Sequence, residues 1–194
     1  SWDNSGFIVG DKEKEVKKIM LALDSSLDVV EQAVKENVDL LITHHPLIFS
    51  PVKKICSDDF ESRKIYQLLH SDISHYATHT NMDVAVMADL SADKIGLEDT
   101  MPLEIIEPDE KDDFDKPEGI GRVGNLKSAM TLNQLAELVK YKFEIDYVRV
   151  CGELDKIISK VAISPGAGNS MIKWAIKSKV EVLITGDISH HTAL

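Results

Sequence analysis

Short apolar runs alternate with amphipathic stretches along this chain, and that alternation limits the fold more than any other property. Residues 19–23 (IMLAL) form a compact apolar run that reads as a buried strand. Leu27, Val30, Val34 and Val38 then recur at three- to four-residue spacing, which predicts a helix opened by Ser25 or Ser26. Asp39–Thr43 is a second strand, followed by a helix over Glu61–Leu69 and a strand over Ser74–Thr78. Further on, Thr131 caps a predicted helix to Phe143 whose apolar face is Leu132, Leu135, Leu138 and Val139. Strands are predicted at Tyr147–Val150, Lys160–Ser164 and Val182–Thr185, with a helix at Ser170–Lys177. Strands alternating with helices predict an α/β protein with mainly parallel mixed sheets covered by helices.

The pattern also repeats. When residues 16–43 are laid on residues 158–185, 7 of 28 positions are identical, among them Lys18/Lys160, Ala33/Ala175, Val38/Val180 and the LIT triplets Leu41–Thr43 and Leu183–Thr185. Each copy reads strand, turn, helix, strand. This predicts two lobes related by pseudo-symmetry, with the residues after Thr43 and after Thr185 at equivalent strand ends. Glu104–Lys116, rich in Asp, Glu and Pro, reads either as a linker between lobes or as a surface loop within one domain. The working division is lobe 1 over residues 1–103, an acidic linker over 104–118 and lobe 2 over 119–194.

Charge and cysteine content exclude several function classes. With 22 Lys+Arg against 33 Asp+Glu, the formal net charge is −11 in 194 residues. That opposes non-specific binding to nucleic acid or to an anionic membrane, both of which are negative. No apolar run approaches a membrane span. The two cysteines, Cys56 and Cys151, form no C-x-x-C pair and no disulfide framework, so a reducing, cytoplasmic setting is expected. The chain starts at Ser1 without Met and stops at Leu194 inside what reads as a starting helix, so residues at either end are expected to be missing.

The histidines carry the chemistry. His44-His45-Pro46 follows one predicted strand and His79-Thr80-Asn81-Met82-Asp83 follows another, so both lie at carboxyl ends, where open α/β sheets bind ligands. Neutral imidazole and carboxylate oxygens are good ligands for borderline divalent ions. His79 and Asp83 are four apart and share a face if the chain turns helical. Asn81 or Asp83 could instead cap the helix from Val84. His70, at a helix end, and His75 read as structural or surface residues. Trp2 and Trp174 read as packing residues. The glycine turn Ser164–Ser170 reads as tight packing with phosphate contact as an alternative, and Arg122 in Gly119–Gly124 is a candidate anion contact. No G-x-S-x-G elbow or paired thiol nucleophile is present.

Six segments together resemble a known family: WDNSG at Trp2–Gly6, DLLITHHPLIF at Asp39–Phe49, ATHTNMD at Ala77–Asp83, GIGRVG at Gly119–Gly124, SPGAG at Ser164–Gly168 and LITGDISHHTAL at Leu183–Leu194. In this order they are similar to the Nif-three-like family, also described as the GTP cyclohydrolase I type 2 family of dinuclear-metal proteins. The resemblance implies a two-lobed α/β fold, a homo-oligomeric ring that is a hexamer, and two divalent ions (zinc, iron, manganese or cobalt). The matching ligands are His44, His45, His79 and Asp83. Two further family ligands, a His and a Glu, fall in a GH-x-x-x-E motif beyond Leu194. Asn81, Asp187, His190 and His191 are candidates for orienting a ligand or contacting substrate. The implied activity is metal-dependent hydrolysis of a small, nucleotide-like substrate. The alternative is a non-enzymatic metal-binding or regulatory hexameric assembly.

Overall fold

The computed structural model describes residues 3–106 and 117–193. Trp2, most of the acidic stretch and Leu194 lie outside the described residues. The chain divides into two units, Ser1–Met82 and Asp83–Leu194, each with its own sheet.

The first unit runs β1 (Gly6–Val9), β2 (Ile19–Ala22), α1 (Leu27–Lys35), β3 (Leu40–Thr43), α2 (Phe60–His70), β4 (Ser74–Ala77) and the short α3 (His79–Met82). Its sheet order is β1-β4-β3-β2, with β2–β3 and β3–β4 parallel and β1–β4 antiparallel. The predicted helix over 27–38 forms because its apolar positions fall on one face and Ser26 accepts a hydrogen bond from the Val29 N–H. Asp59 caps α2 in the same way through Ser62. Both helices pack their apolar sides, Val30, Ala33, Ile65 and Leu68, on Leu41 and Ile73 of the sheet region. Met20 and Ala22 turn toward this core, while the alternate residues of edge strand β2, Ile19 and Leu21, are exposed.

The second unit opens with a π-helical turn (Asp83–Met87) and α4 (Ala88–Ile95), then β5 (Leu97–Ile105), β6 (Gly119–Thr131), α5 (Leu132–Phe143), β7 (Ile157–Ala167), a 3₁₀ turn, α6 (Ile172–Lys177), β8 (Val182–Asp187) and α7 (His190–Ala193). Its sheet order is β5-β6-β7-β8, antiparallel except for β7–β8. Thr131 and Gln134 form a full capping box at the start of α5. Leu135 and Val139 of α5 and Ala92 and Ile95 of α4 cover Val161 and Ile163 on one face. Met171 and Trp174 cover Ala162 and Leu183 on the other.

The structure departs from the sequence reading at several points. Residues 147–150 form no strand. The division between units falls at Met82/Asp83, not at 103/104. The acidic stretch, most of which lies outside the described residues, falls between β5 and β6, which are hydrogen-bonded neighbours with Glu104 opposite Ile120 and Ile105 opposite Gly119, in keeping with the alternative of a connection within one domain. Arg122 is also not an anion contact. It is 7% exposed, its Nε and Nη2 donate to the Asp89 carboxylate, and its Nη1 donates to the Gly119 and Gly121 carbonyls. Gly121 holds φ +65°, and a Cβ there would meet the Ile163 carbonyl oxygen at 2.9 Å, so glycine is required.

The repeat survives at the level of single hydrogen bonds. In β2-α1-β3, the Asp39 carboxylate accepts from the Lys17 and Lys18 N–H groups, and Lys18 Nζ donates to the Glu36 carbonyl. In β7-α6-β8, the Glu181 carboxylate accepts from the Ser159 and Lys160 N–H groups, and Lys160 Nζ donates to the Ser178 carbonyl. Asn37 and Lys179, also 142 apart, both exit their helices at φ 52°. The common physical reason is a helix that must stop in a left-handed residue to return the chain to a parallel neighbour.

The backbone N–H donors of Lys18 and Lys17 hold the Asp39 carboxyl below its ordinary range, and those of Lys160 and Ser159 do the same for Glu181. A lowered folded-state value makes a stability contribution that is present above the unfolded value and lost as pH falls through the folded one. Asp39→Ala and Glu181→Ala are each expected to lower the urea midpoint at pH 7. The difference from the parent should shrink as pH falls from about 5 toward 2. Urea titrations at several pH values check this, and a difference independent of pH would contradict it.

Candidate metal centre

The parallel register of the first sheet builds this site. Thr43 is opposite Ala77, so β3 and β4 end side by side. The pairing continues one step beyond the strands: the Thr78 N–H donates to the Thr43 carbonyl, and the His79 N–H donates to the His44 carbonyl at 2.9 Å. The His44 and His45 N–H groups donate to the Ala22 and Leu23 carbonyls on the other side. Three imidazoles therefore emerge from adjacent strand ends. Their ring centroids lie 4.9 Å apart for His44–His45, 5.7 Å for His44–His79 and 6.1 Å for His45–His79. Adjacent residues of a regular strand diverge. His44 and His45 escape this because they lie past the end of β3.

Two of the three rings are held by carboxylates that sequence reasoning missed. His45 Nδ1 is 2.7 Å from Asp24 Oδ1, and His79 Nδ1 is 2.5 Å from Asp3 Oδ1. A carboxylate only accepts, so Nδ1 carries a proton in each case, which fixes the Nδ1–H tautomer of the neutral ring. Partial burial pushes the Asp3 carboxyl up, but hydrogen bonds from Ser5, His79 and Thr80 and the attraction of His79 outweigh it, leaving the carboxyl below its ordinary value. The signal for Asp3 lay in the WDNSG segment, and none marked Asp24, since contacts between residues 21 and 76 apart follow only from the sheet. His79 also takes φ +31°, which non-glycine residues rarely adopt. Such an outlier persists only where its surroundings enforce it, and here the bonds to His44 and Asp3 do so.

His75 is not a surface residue. It is 0% exposed, on the helix-covered face opposite Leu41. The Thr43 hydroxyl donates to the His45 carbonyl and so accepts from His75 Nε2, at 2.8 Å. A buried histidine thus braces the strand end that carries the site. His70 ends α2, stacked on Tyr66 at 5.6 Å.

The other sequence candidates separate. Asn81 is exposed in α3 and does not act as a helix cap. Asp83 is the first residue of the second unit, where the π-helical turn begins. Asp187 closes β8, and its carbonyl accepts from the Gly168 N–H. His190 and His191 are exposed in α7 with rings 5.7 Å apart. The glycine turn before α6 is tight packing: a Cβ on Gly168 would lie 2.4 Å from Thr185 Oγ1. Trp174 lies at the edge of a core cluster with Lys173 and Lys177 over its ring.

Borderline divalent ions suit these donors, and metal-ligating histidines commonly give their second N–H to a carboxylate. The His45–Asp24 and His79–Asp3 pairs match that arrangement. As the side chains stand, no three His, Cys, Asp or Glu residues among those described enclose an ion. A cavity of about 630 Å³ in the first unit opens beside His45.

Desolvation lowers the His75 pKa to about 4 from its ordinary 6.5. The unfolded chain therefore binds the proton first, and stability falls as pH drops through the window from about 6.5 to 4. The loss attached to this group is on the order of 3 kcal/mol. Urea midpoints between pH 7 and 4 should show a slope that His75→Phe removes. An NMR titration of His75 with a midpoint near 6.5 would contradict it.

Comparison with known proteins agrees with the fold and the motifs. A protein named GTP cyclohydrolase 1 type 2 homolog from Clostridium acetobutylicum is 36% identical over 192 residues, covering 98% of this chain and 70% of that protein. The equivalently named protein of Methanocaldococcus jannaschii is 35% identical, covering 99% and 74%. The crystal structure of a Bacillus cereus protein related to NIF3 superposes with a TM-score of 0.87 at 26% identity, covering 99% of this chain and 78% of that one. Reduced HcgD from M. jannaschii gives 0.76 at 33% identity, covering 98% and 72%. The family description Duf34/NIF3 (NGG1p interacting factor 3) matches residues 1–194, and the chain belongs to this family.

Proposed function

We propose that the protein is a metal-dependent hydrolase acting on a nucleotide-like substrate, with His44, His45, His79 and Asp83 as metal ligands. The observation that carries the reading is three imidazoles grouped at two neighbouring strand ends, two of them tied through Nδ1 to carboxylates. The names of the Clostridium and Methanocaldococcus relatives support a reaction of the GTP cyclohydrolase kind. Such a reaction adds water at purine C8 and releases formate. When bound, two divalent ions would supply an activated water and neutralise developing negative charge.

The chain's own residues prepare that chemistry. Asp3 and Asp24 fix the Nδ1–H tautomer of His79 and His45, leaving Nε2 to ligate. His75 and Thr43 brace the His45 backbone. Asp83, four residues beyond His79 in sequence, adds a carboxylate by spacing and by resemblance. The donor set admits zinc, iron, manganese or cobalt. A cytoplasmic, homo-oligomeric ring of six copies belongs to the same reading. The exposed Ile19, Leu21 and Leu23 support an interface. No helix among the described residues is long and apolar enough to cross a membrane.

The test is formate release from GTP by metal-loaded protein. A His44→Ala, Asp83→Ala double variant is expected to lose at least about 100-fold in rate, as removal of a metal-activated nucleophile would. Equal release by the variant refutes the reading. Metal binding with no turnover would instead favour a non-enzymatic metal-binding or regulatory assembly. The tautomers have their own readout. Long-range ¹⁵N–¹H NMR of metal-free protein above neutral pH should show Nδ1–H forms of His45 and His79, and Asp3→Ala should release the His79 preference.

A further inference from the structure

We propose that the cavity beside His45 holds the base of the substrate, a planar, N–H-bearing bicyclic heterocycle of the guanine type, while the phosphates stay outside. This rests on the nucleotide reading above. The cavity lies within the first unit, and its volume of about 630 Å³ falls in the range of ~300–1,000 Å³ typical of small-molecule sites. Its wall is the irregular segment 44–59 between β3 and α2, together with residues before α1 and on α2. Long irregular segments in compact units are commonly functional.

This segment is fastened at both halves. Asn4 Nδ2 donates to the Ile48 carbonyl at 2.5 Å, and the Cys56 N–H donates to the Ser62 hydroxyl at 3.1 Å. The Ser62 hydroxyl is fixed in turn by Asp59 at 2.8 Å. The pocket is therefore held in shape before a ligand arrives.

Its chemistry selects a neutral flat ring. Pro46, Phe49, Pro51, Val52 and Ile65 supply apolar walls. The Phe49 ring is 59% exposed and stands 6.1 Å from His79, nearly perpendicular to it. A base stacked on Phe49 would lie against the histidine cluster. The charged lining is two carboxylates, Asp24 and Asp59, against one ammonium, Lys64. Carboxylates accept from N–H groups such as those on the pyrimidine edge of guanine, and they repel a polyphosphate. The Asp24 carboxylate, already bonded to His45, links this pocket directly to the site.

The experiment uses the 194-residue chain treated with EDTA, so that it does not depend on turnover. Guanosine and inorganic tripolyphosphate are titrated separately and followed by amide NMR. Guanosine is expected to shift resonances of Ser26, Leu47, Phe49 and Val52, and tripolyphosphate is not. Phe49→Ala should weaken guanosine about tenfold, as loss of one stacking partner does. Val52→Asp, which crowds the same wall with a charge, should weaken it as well. The inference is overturned if guanosine shifts no pocket residue, if tripolyphosphate shifts the same residues, or if neither variant changes affinity. Guanosine binding without formate release would leave the pocket standing and remove the hydrolase. Formate release with a KM unchanged by Phe49→Ala would do the reverse.

Discussion

The parallel register between β3 and β4 is the constraint on which the site depends. With Thr43 opposite Ala77, the strands finish level and the ladder runs on to His44 and His79. A one-residue slip would move the imidazoles apart and turn Leu41 away from the α1–α2 core. The register is therefore set by burial, through Leu41, Ile73 and the buried His75, and the chemistry inherits it. The Nε2 of the histidine placed in that core bonds to Thr43, which also steadies the His45 carbonyl, while its buried Nδ1 has no hydrogen-bond partner.

The same economy appears in the repeated β-α-β element. Asp39 and Glu181 each clamp the start of the neighbouring strand by accepting two backbone N–H bonds, and Lys18 and Lys160 each reach across to the carbonyl where the helix ends. The units differ in what covers the second face of the sheet. Val161 and Ile163 are buried against α4 and α5, whereas their counterparts Ile19 and Leu21 are exposed. A shared local element has been placed in two different surroundings.

Much of this was legible in the residues. Helical spacing of apolar residues marked α1 and α5, and a short apolar run marked β2; α2, β3, β4, α6 and β8 were placed as well. Placing the histidines past strand ends needed only Pro46 and the run lengths. The antiparallel strands β5 and β6 were not found. Their polar, glycine-containing sequences lack a clean apolar alternation, and they are strands because β6 pairs with β7 and β5 pairs with β6. The strand expected at Tyr147–Val150 failed for the converse reason: its β-prone residues find no neighbour. Arg122 misled because a cation in a glycine-rich segment looks like an anion site until Asp89 is brought beside it.

The sequence by itself determined the α/β class, the repeated element, the family and the candidate ligands, since each is written in local periodicity or in motif order. Tertiary structure alone decided that the units divide at Met82, that the acidic stretch falls between two paired strands, and that Asp3 and Asp24 orient His79 and His45. The physical reason is separation. Periodicity reports which face of an element is buried, but a hydrogen bond between residues 21 or 76 apart exists only once strands have paired and brought them within reach.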